Sequence, residues 1–230
     1  MSERPYVTIN VAASVDGKID TVERRGASIS SEGDRRRVDV LRAAVDAVMV
    51  GGRTLLDEDP RLIVRAADLR AERLARGLPE NPAKVGVLTR LSALRLDSRF
   101  LSVGPARVIV FTCDSPSEAA TAALVSRGAE LYATGEAKVD LVAAMRQLGG
   151  LGIGRVLVEG GGSLNFELLR LGLVDELQVF IAPLVFGGAG APTLADGQGL
   201  PRDLALALQR VDVEAWPDGG VLLRYKVVRR

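Results

Sequence analysis

The chain is predicted to be α/β, with a predominantly parallel central sheet, helices on both of its faces and a C-terminal antiparallel hairpin. Three observations carry that expectation. Short apolar runs rich in β-branched residues alternate with segments whose apolar residues recur at helical spacing, the pattern of a largely parallel sheet. Near the end, two strand-like runs are joined by Pro217-Asp218-Gly219-Gly220, a turn that suits a hairpin closing one sheet edge. A length of 230 residues with 47% hydrophobic content is enough for a sizeable core. No composition break or internal repeat divides the sequence, so residues 1–230 are expected to form one domain.

The elements follow in order. Residues 6–12, "YVTINVA", read as a first strand, and Asp16-Gly17 as a polar turn. Ser31 with Asp34 three residues later approximates a capping box, and Val38, Leu41, Val45 and Val48 continue at helical spacing. "AVMVGG" is a buried strand ending in glycine. The segment 53–65, "RTLLDEDPRLIVR", is dense in charge and stopped by Pro60, so it is expected to be a loop with a short extended tail. Residues 66–83 read as a mobile polar helix and linker. Strands at 84–90 and 107–112, a helix at 117–127, a strand at 129–133 and a helix near 138–148 keep up the alternation.

The segment "RVLVEGGGSLNFELLRLG" carries the chemistry. Val156-Leu157-Val158 suits a buried parallel strand, which Glu159, three glycines and Ser163 interrupt. Leu164, Phe166, Leu168, Leu169 and Leu171 then suit a short, mostly buried helix that stops at Gly172. Glycines at a strand-to-helix turn let backbone N–H groups approach a ligand, and the helix start behind them carries partial positive charge, which suits a phosphate. A tight turn with no ligand would use the same residues. The pattern is neither the dinucleotide fingerprint of a Rossmann fold, which would need glycine where Asn165 stands, nor a P-loop, which would need a lysine.

Composition narrows the partner. With 30 basic and 29 acidic residues, no global charge points to nucleic acid or an anionic membrane, and a small molecule is expected. The first ten residues lack a signal-like apolar run and nothing approaches the ~20 apolar residues of a membrane span, so a cytoplasmic protein is expected. Cys113 is the only cysteine and there is no histidine, which removes internal disulfides, multi-cysteine zinc clusters and the commonest metal ligand; no metal is expected. Acid or base chemistry falls to Asp, Glu, Lys, Tyr or water.

"VMVGGRTL", "VGVLTR" and "EGGGSL" together resemble the cofactor-binding segments of the dihydrofolate reductase superfamily. Within it, "NVAASVDGKI", "LRAAVDAVMVGGRTLLDEDPRLIVR" and "VLVEGGGSLNFELLRLGLVDELQVFIAPLVFGGAGAPTL" are similar to the pyrimidine reductases of riboflavin biosynthesis, over most of the chain from Tyr6 to about Leu194. The resemblance implies a dihydrofolate-reductase-like fold, a single reductase domain, NADPH as hydride donor, a ribosylamino-pyrimidine 5′-phosphate substrate and a homodimer. The deaminase half of bifunctional relatives, with its H-x-E and P-C-x-x-C signature, is absent from this sequence, as in the standalone archaeal and fungal reductases.

Carried over residue by residue, the resemblance assigns Thr54, Glu58, Thr89, Arg90, Gly160, Gly161, Gly162, Ser163 and Leu164 to the cofactor, with Thr89 and Arg90 ending a strand beside the 2′-phosphate. It assigns Arg42, Leu62, Arg65 and Glu159 to the substrate, Leu62 through its backbone. Glu58, Glu159 and Lys18 are the candidate proton-transfer groups. Glu58 stands where many relatives carry Asp, and neighbouring Asp59 could take over its role. Arg42 has a plainer reading, since Asp39 and Asp46 lie three and four residues away and could pair with it.

The implied reaction is reduction of the ribosyl group of 2,5-diamino-6-ribosylamino-4(3H)-pyrimidinone 5′-phosphate to the ribitylamino product. Alternatives are the same reduction on the deaminated uracil, another reductase of this superfamily acting on a pterin, for which Asp34, Asp39 and Asp46 are the available helix acids, and a non-catalytic NADPH-binding module.

Overall fold

A computed structural model of the chain describes residues 4–113 and 117–228. In chain order its elements are β1 (Tyr6–Ser14), α1 (Glu32–Ala43), β2 (Ala47–Gly51), α2 (Gly52–Asp57), α3 (Ala67–Ala75), β3 (Ala83–Leu88), α4 (Arg99–Ser102), β4 (Val108–Thr112), α5 (Glu118–Val125), β5 (Ala129–Ala133), α6 (Leu141–Gly150), β6 (Arg155–Val158), α7 (Gly162–Arg170), β7 (Glu176–Ala182), β8 (Leu208–Ala215) and β9 (Val221–Val227). The strands are mostly parallel and end in an antiparallel hairpin, as the sequence predicts. By its contacts the chain divides into two compact units, one built on Arg36–Leu157 and the other on Tyr6–Arg35 with Val158–Arg230.

In the first unit the strand order is β5-β4-β3-β2-β6, and β2, β3, β4 and β5 pair in parallel. Every residue of β2 and β4 is buried, which is why both read as unbroken apolar runs. Val48 and Val50 of β2 share one core cluster with Leu55, Leu62, Leu88, Phe100, Val110 and Leu157. Gly86 makes room in that cluster: a Cβ there would lie 2.8 Å from Leu55 Cδ2.

Two expectations for this unit are corrected. The charged segment beginning at Arg53 does not start as a loop, because Gly52–Asp57 forms α2. Its single buried residue, Leu55, anchors the short helix by filling the space beside Gly86, a contact between positions thirty-one residues apart. The irregular chain begins only at Glu58, before Asp59 at φ +44° and Pro60. Nor is the 66–83 region a loosely attached helix. α3 buries Leu69 and Arg73, and the Arg73 guanidinium donates to the carbonyls of Ala43 and Val45 at 2.9 Å each and of Pro79 at 2.8 Å. It thereby satisfies carbonyls left free where α1 ends.

In the second unit the order is β1-β7-β9-β8, with β1 and β7 parallel and the other pairs antiparallel. The hairpin turn closes as Trp216 N–H donates to the Gly220 carbonyl at 2.8 Å and Gly220 N–H to Asp218 Oδ1 at 2.8 Å. Phe180 packs on Trp216 with ring centroids 5.2 Å apart, and a Cβ on Gly220 would come within 2.4 Å of the Phe180 ring. At the start of α1, the Ser31 hydroxyl accepts from Asp34 N–H at 3.2 Å, the capping expected of that pair.

Candidate active site

The second unit presents the glycine turn. β6 ends at Val158, Glu159 is half-buried, and Gly160 takes φ +104°, a conformation that disfavours any side chain. A Cβ on Gly160 would meet nothing within 4 Å, although the residue itself is buried. α7 starts at Gly162 behind Gly161, and no side chain caps it. The amides of its first turn therefore have neither an intrahelical partner nor a side-chain cap, and their charge suits an anion. Ser163 is exposed here, while Leu164 is buried and fastens the turn to the core.

Lys18 lies in the same unit, half-buried, after the Asp16-Gly17 turn. The Ser14 hydroxyl accepts from Lys18 N–H at 3.0 Å and donates to Asp16 Oδ1 at 2.6 Å. Asp16 also accepts from the amides of Phe186 and Gly187, at 3.2 and 2.7 Å. The Ser14 hydroxyl, followed by these amides, holds the Asp16 carboxyl below its usual range. The Lys18 backbone pairs with Thr193 in a single antiparallel bridge.

The first unit presents the other predicted residues. Thr54 lies half-buried in α2, and its carbonyl accepts from Glu58 N–H at 3.1 Å. Glu58 caps the helix and its side chain is exposed. Asp59 is committed elsewhere: its carboxylate accepts from the amides of Arg99 and Phe100, at 2.9 and 3.1 Å, and so caps α4. Of the two adjacent acids, Glu58 is the one turned to solvent.

Leu62 combines a fully buried side chain with a left-handed backbone at φ +51°. The core holds the side chain while the main chain is kept in a conformation that costs on the order of 1–3 kcal/mol, as happens where backbone atoms are presented to a ligand. Next to it, the Ile63 carbonyl accepts from Arg42 Nη1 at 2.8 Å. Asp39 accepts from Arg65 Nε at 3.2 Å and from Ala66 N–H at 3.1 Å, so it orients Arg65, whose side chain stays 46% exposed. Asp46 accepts from the amides of Gly154 and Arg155 at 2.9 and 2.8 Å. Asp39 on α1 and Asp46, which lies past the end of that helix and so not on it with Arg42, thus serve chain segments distant in sequence.

Thr89 and Arg90 lie just beyond β3, which stops at Leu88, one or two residues short of the expected strand end. Both are exposed, and the Thr89 carbonyl accepts from Thr112 Oγ1 at 3.3 Å. Sequence reasoning missed Asp39 as the partner of Arg65, Asp196 beside Gly162, and Lys84, a fully buried lysine in β3. Only Lys84 left a visible signal, a charge inside the apolar run "AKVGVL". Among the described residues no helix is long and apolar enough to cross a membrane.

A family model described as the RibD C-terminal domain matches residues 5–222. The chain belongs to the RibD C-terminal domain family. It is 41% identical over 195 residues to the 2,5-diamino-6-ribosylamino-4(3H)-pyrimidinone 5′-phosphate reductase of Archaeoglobus fulgidus, covering 85% of this chain and 88% of that protein. It is likewise 41% identical over 197 residues to the protein of the same name in Methanothermobacter thermautotrophicus, covering 86% of each. Against the riboflavin biosynthesis protein RibD of Chlamydia muridarum, at 34% identity, it spans 52% of the longer protein. Its fold is similar to that of a pyrimidine reductase-like protein from Corynebacterium diphtheriae, with a TM-score of 0.82 at 21% identity over 98% of this chain and 93% of that one. This RibD C-terminal domain relative is an oxidoreductase of riboflavin biosynthesis with a dihydrofolate-reductase-like fold, and the family implies a pyridine nucleotide. The glycine turn, with space beside Gly160, and the uncapped start of α7 fit the anionic bridge of such a cofactor.

Proposed function

We propose that this protein uses NADPH to reduce the ribosyl group of 2,5-diamino-6-ribosylamino-4(3H)-pyrimidinone 5′-phosphate to a ribitylamino chain, acting as a cytoplasmic homodimer with no nucleic-acid or membrane partner. The observation that carries the reading is 41% identity along nearly the full length of two archaeal reductases of that name.

Gly160, Gly161, Gly162, Ser163 and Leu164 hold the coenzyme's pyrophosphate through main-chain amides. Thr54 and Glu58 contact the same coenzyme, and Thr89 and Arg90 receive its 2′-phosphate, for which the planar guanidinium is suited. When bound, the coenzyme supplies hydride to C1′ of the opened sugar. Arg42 and Arg65 bind the substrate phosphate, the Leu62 main chain contacts the substrate, and Glu159 binds it beside the glycine turn.

Opening the sugar ring moves a proton from the glycosidic nitrogen and delivers one to the ring oxygen, and the nitrogen takes a proton back as C1′ is reduced. With histidine absent, Glu58, Glu159 and Lys18 are the groups that carry or relay these protons through water. Holding the reacting carbon at near-attack distance supplies several kcal/mol without a dedicated base, so the loss of any one of the three lowers the rate and leaves measurable turnover.

The test is coenzyme oxidation by purified protein with NADPH or NADH, offered either the diamino pyrimidine or its deaminated uracil counterpart. Oxidation of NADPH that requires the diamino compound supports the reading. Preference for the uracil moves the protein to the other side of the deamination step, and nucleotide binding without turnover on either compound would make it a binding module.

A further inference from the structure

Resting on that coenzyme site, we propose that Asp196 is a positioning residue for the coenzyme. Through Thr193 it clamps residues 192–197 across the first turn of α7, and so keeps the glycine turn in the form that receives the pyrophosphate.

The clamped segment has no helix or strand of its own and is held by stitches. Ile19 N–H donates to the Pro192 carbonyl at 3.0 Å, and Thr193 forms the bridge with Lys18. The Asn165 amide, fully buried in α7, donates to the Leu194 carbonyl at 2.9 Å. Asp196 N–H donates to the Gly162 carbonyl at 3.0 Å, while Asp196 Oδ1 accepts from both Thr193 N–H and Thr193 Oγ1, at 3.0 and 2.7 Å. One residue thus closes its own loop with its carboxylate and grips the first residue of α7 with its amide.

The fit leaves no slack. A Cβ on Gly162 would lie 2.4 Å from the Thr193 carbonyl oxygen, and a Cβ on Gly197 would lie 2.3 Å from the ring of Phe166. The segment therefore rests against the helix start at two glycines, one on each side of the contact. It also joins the turn bearing Lys18, through the Thr193 bridge, to the start of α7, through Gly162 and Asn165.

The same residue brings a charge. The second carboxylate oxygen of Asp196 is 2.9 Å from where a Gly162 Cβ would stand, beside the end of α7 whose amides favour an anion. Asp196 is thus a resident anion next to the proposed pyrophosphate position. Its geometry favours coenzyme binding and its charge opposes it. Asp196→Asn keeps an oxygen to accept from Thr193 and removes the charge; Asp196→Ala removes both; Thr193→Val removes only the hydroxyl donor.

The experiment measures dissociation constants for NADPH and for inorganic pyrophosphate by calorimetry, with steady-state kinetics and thermal unfolding on the same proteins. Asp196→Ala is expected to weaken both ligands and raise KM for NADPH about tenfold with kcat near the wild-type value, and Thr193→Val to do the same to a smaller extent. Asp196→Asn is expected to bind both ligands at least as tightly as wild type. Wild-type binding by Asp196→Ala and Thr193→Val overturns the proposal, as does a loss of kcat and melting temperature with no selective rise in KM. If Asp196→Ala fails to fold, weakened ligand binding by Asp196→Asn overturns it. Failure of the wild type to bind NADPH would instead remove the coenzyme site itself, and the inference with it.

Discussion

Asp59 and Lys84 hold opposite ends of the same short helix. The Asp59 carboxylate accepts from the amides of Arg99 and Phe100 where α4 begins, and the Lys84 amine donates to the carbonyls of Phe100 and Val103 where it ends. Arg99 adds a bond from its guanidinium to the Glu58 carbonyl at 2.7 Å. The four-residue helix closes only two i to i−4 bonds of its own, from the Ser102 and Val103 amides to the Ser98 and Arg99 carbonyls, so these outside partners add to its hold. They tie the chain carrying Glu58 to the segment that follows Thr89 and Arg90.

Lys84 makes stability depend on pH. Burial pushes its amine down from 10.5 to about 8, with the Asp59 charge a smaller opposing influence. The unfolded chain keeps the lysine proton up to about pH 10.5, so from about pH 8 to about pH 10.5 it holds more protons than the folded one, and this group's contribution to stability rises with pH. Urea unfolding across that window should show the rise, and Lys84→Met should flatten it while lowering stability at every pH because two carbonyls lose their donor. An unchanged slope in the variant would refute the assignment.

Asp59→Ala should cost about 1–2 kcal/mol in the same assay, the usual loss for a helix cap, and Asp59→Asn distinctly less, because its side-chain oxygen still accepts. Glu58→Ala should leave stability within about 0.5 kcal/mol of wild type and act on turnover instead. The reverse pattern would mean that Glu58 is the structural acid.

Arg65→Ala should raise KM for the sugar phosphate roughly 10- to 100-fold, the range for loss of a hydrogen bond to a charged group, with the NADPH dissociation constant near normal. Asp39→Ala should give a milder form of the same defect, since it frees Arg65 and the Ala66 amide together. Equal loss of substrate and coenzyme binding in Arg65→Ala would reject the division of roles.

The glycines of the turn should fail in different ways. Gly162→Ala forces a methyl group against the Thr193 carbonyl and should lower the melting temperature along with coenzyme affinity. Gly160→Ala meets open space but must hold φ +104°, so a stability loss of about 1–3 kcal/mol is expected, together with weaker NADPH binding from the crowded backbone. NADPH titration of both variants beside thermal melts decides the matter.

The strands, the capped α1, the glycine turn before α7 and the terminal hairpin were all legible in the sequence, because each rests on local chemistry: apolar runs, a serine three residues before an acid, glycines between a strand and an apolar helix. The candidate site residues come from motif resemblance, which names residues without saying what holds them. Tertiary structure alone decided that Arg53–Asp57 turns as a helix, since Leu55 is anchored by the space beside Gly86 in a strand far along the chain. It also decided which acids are structural. Asp39, Asp46, Asp59 and Asp196 are alike as residue types, and what gives each its structural part is the set of amides and side chains that folding brings to its carboxylate. Hydrogen bonds between residues distant in sequence leave no local periodicity, so only the folded chain reveals them.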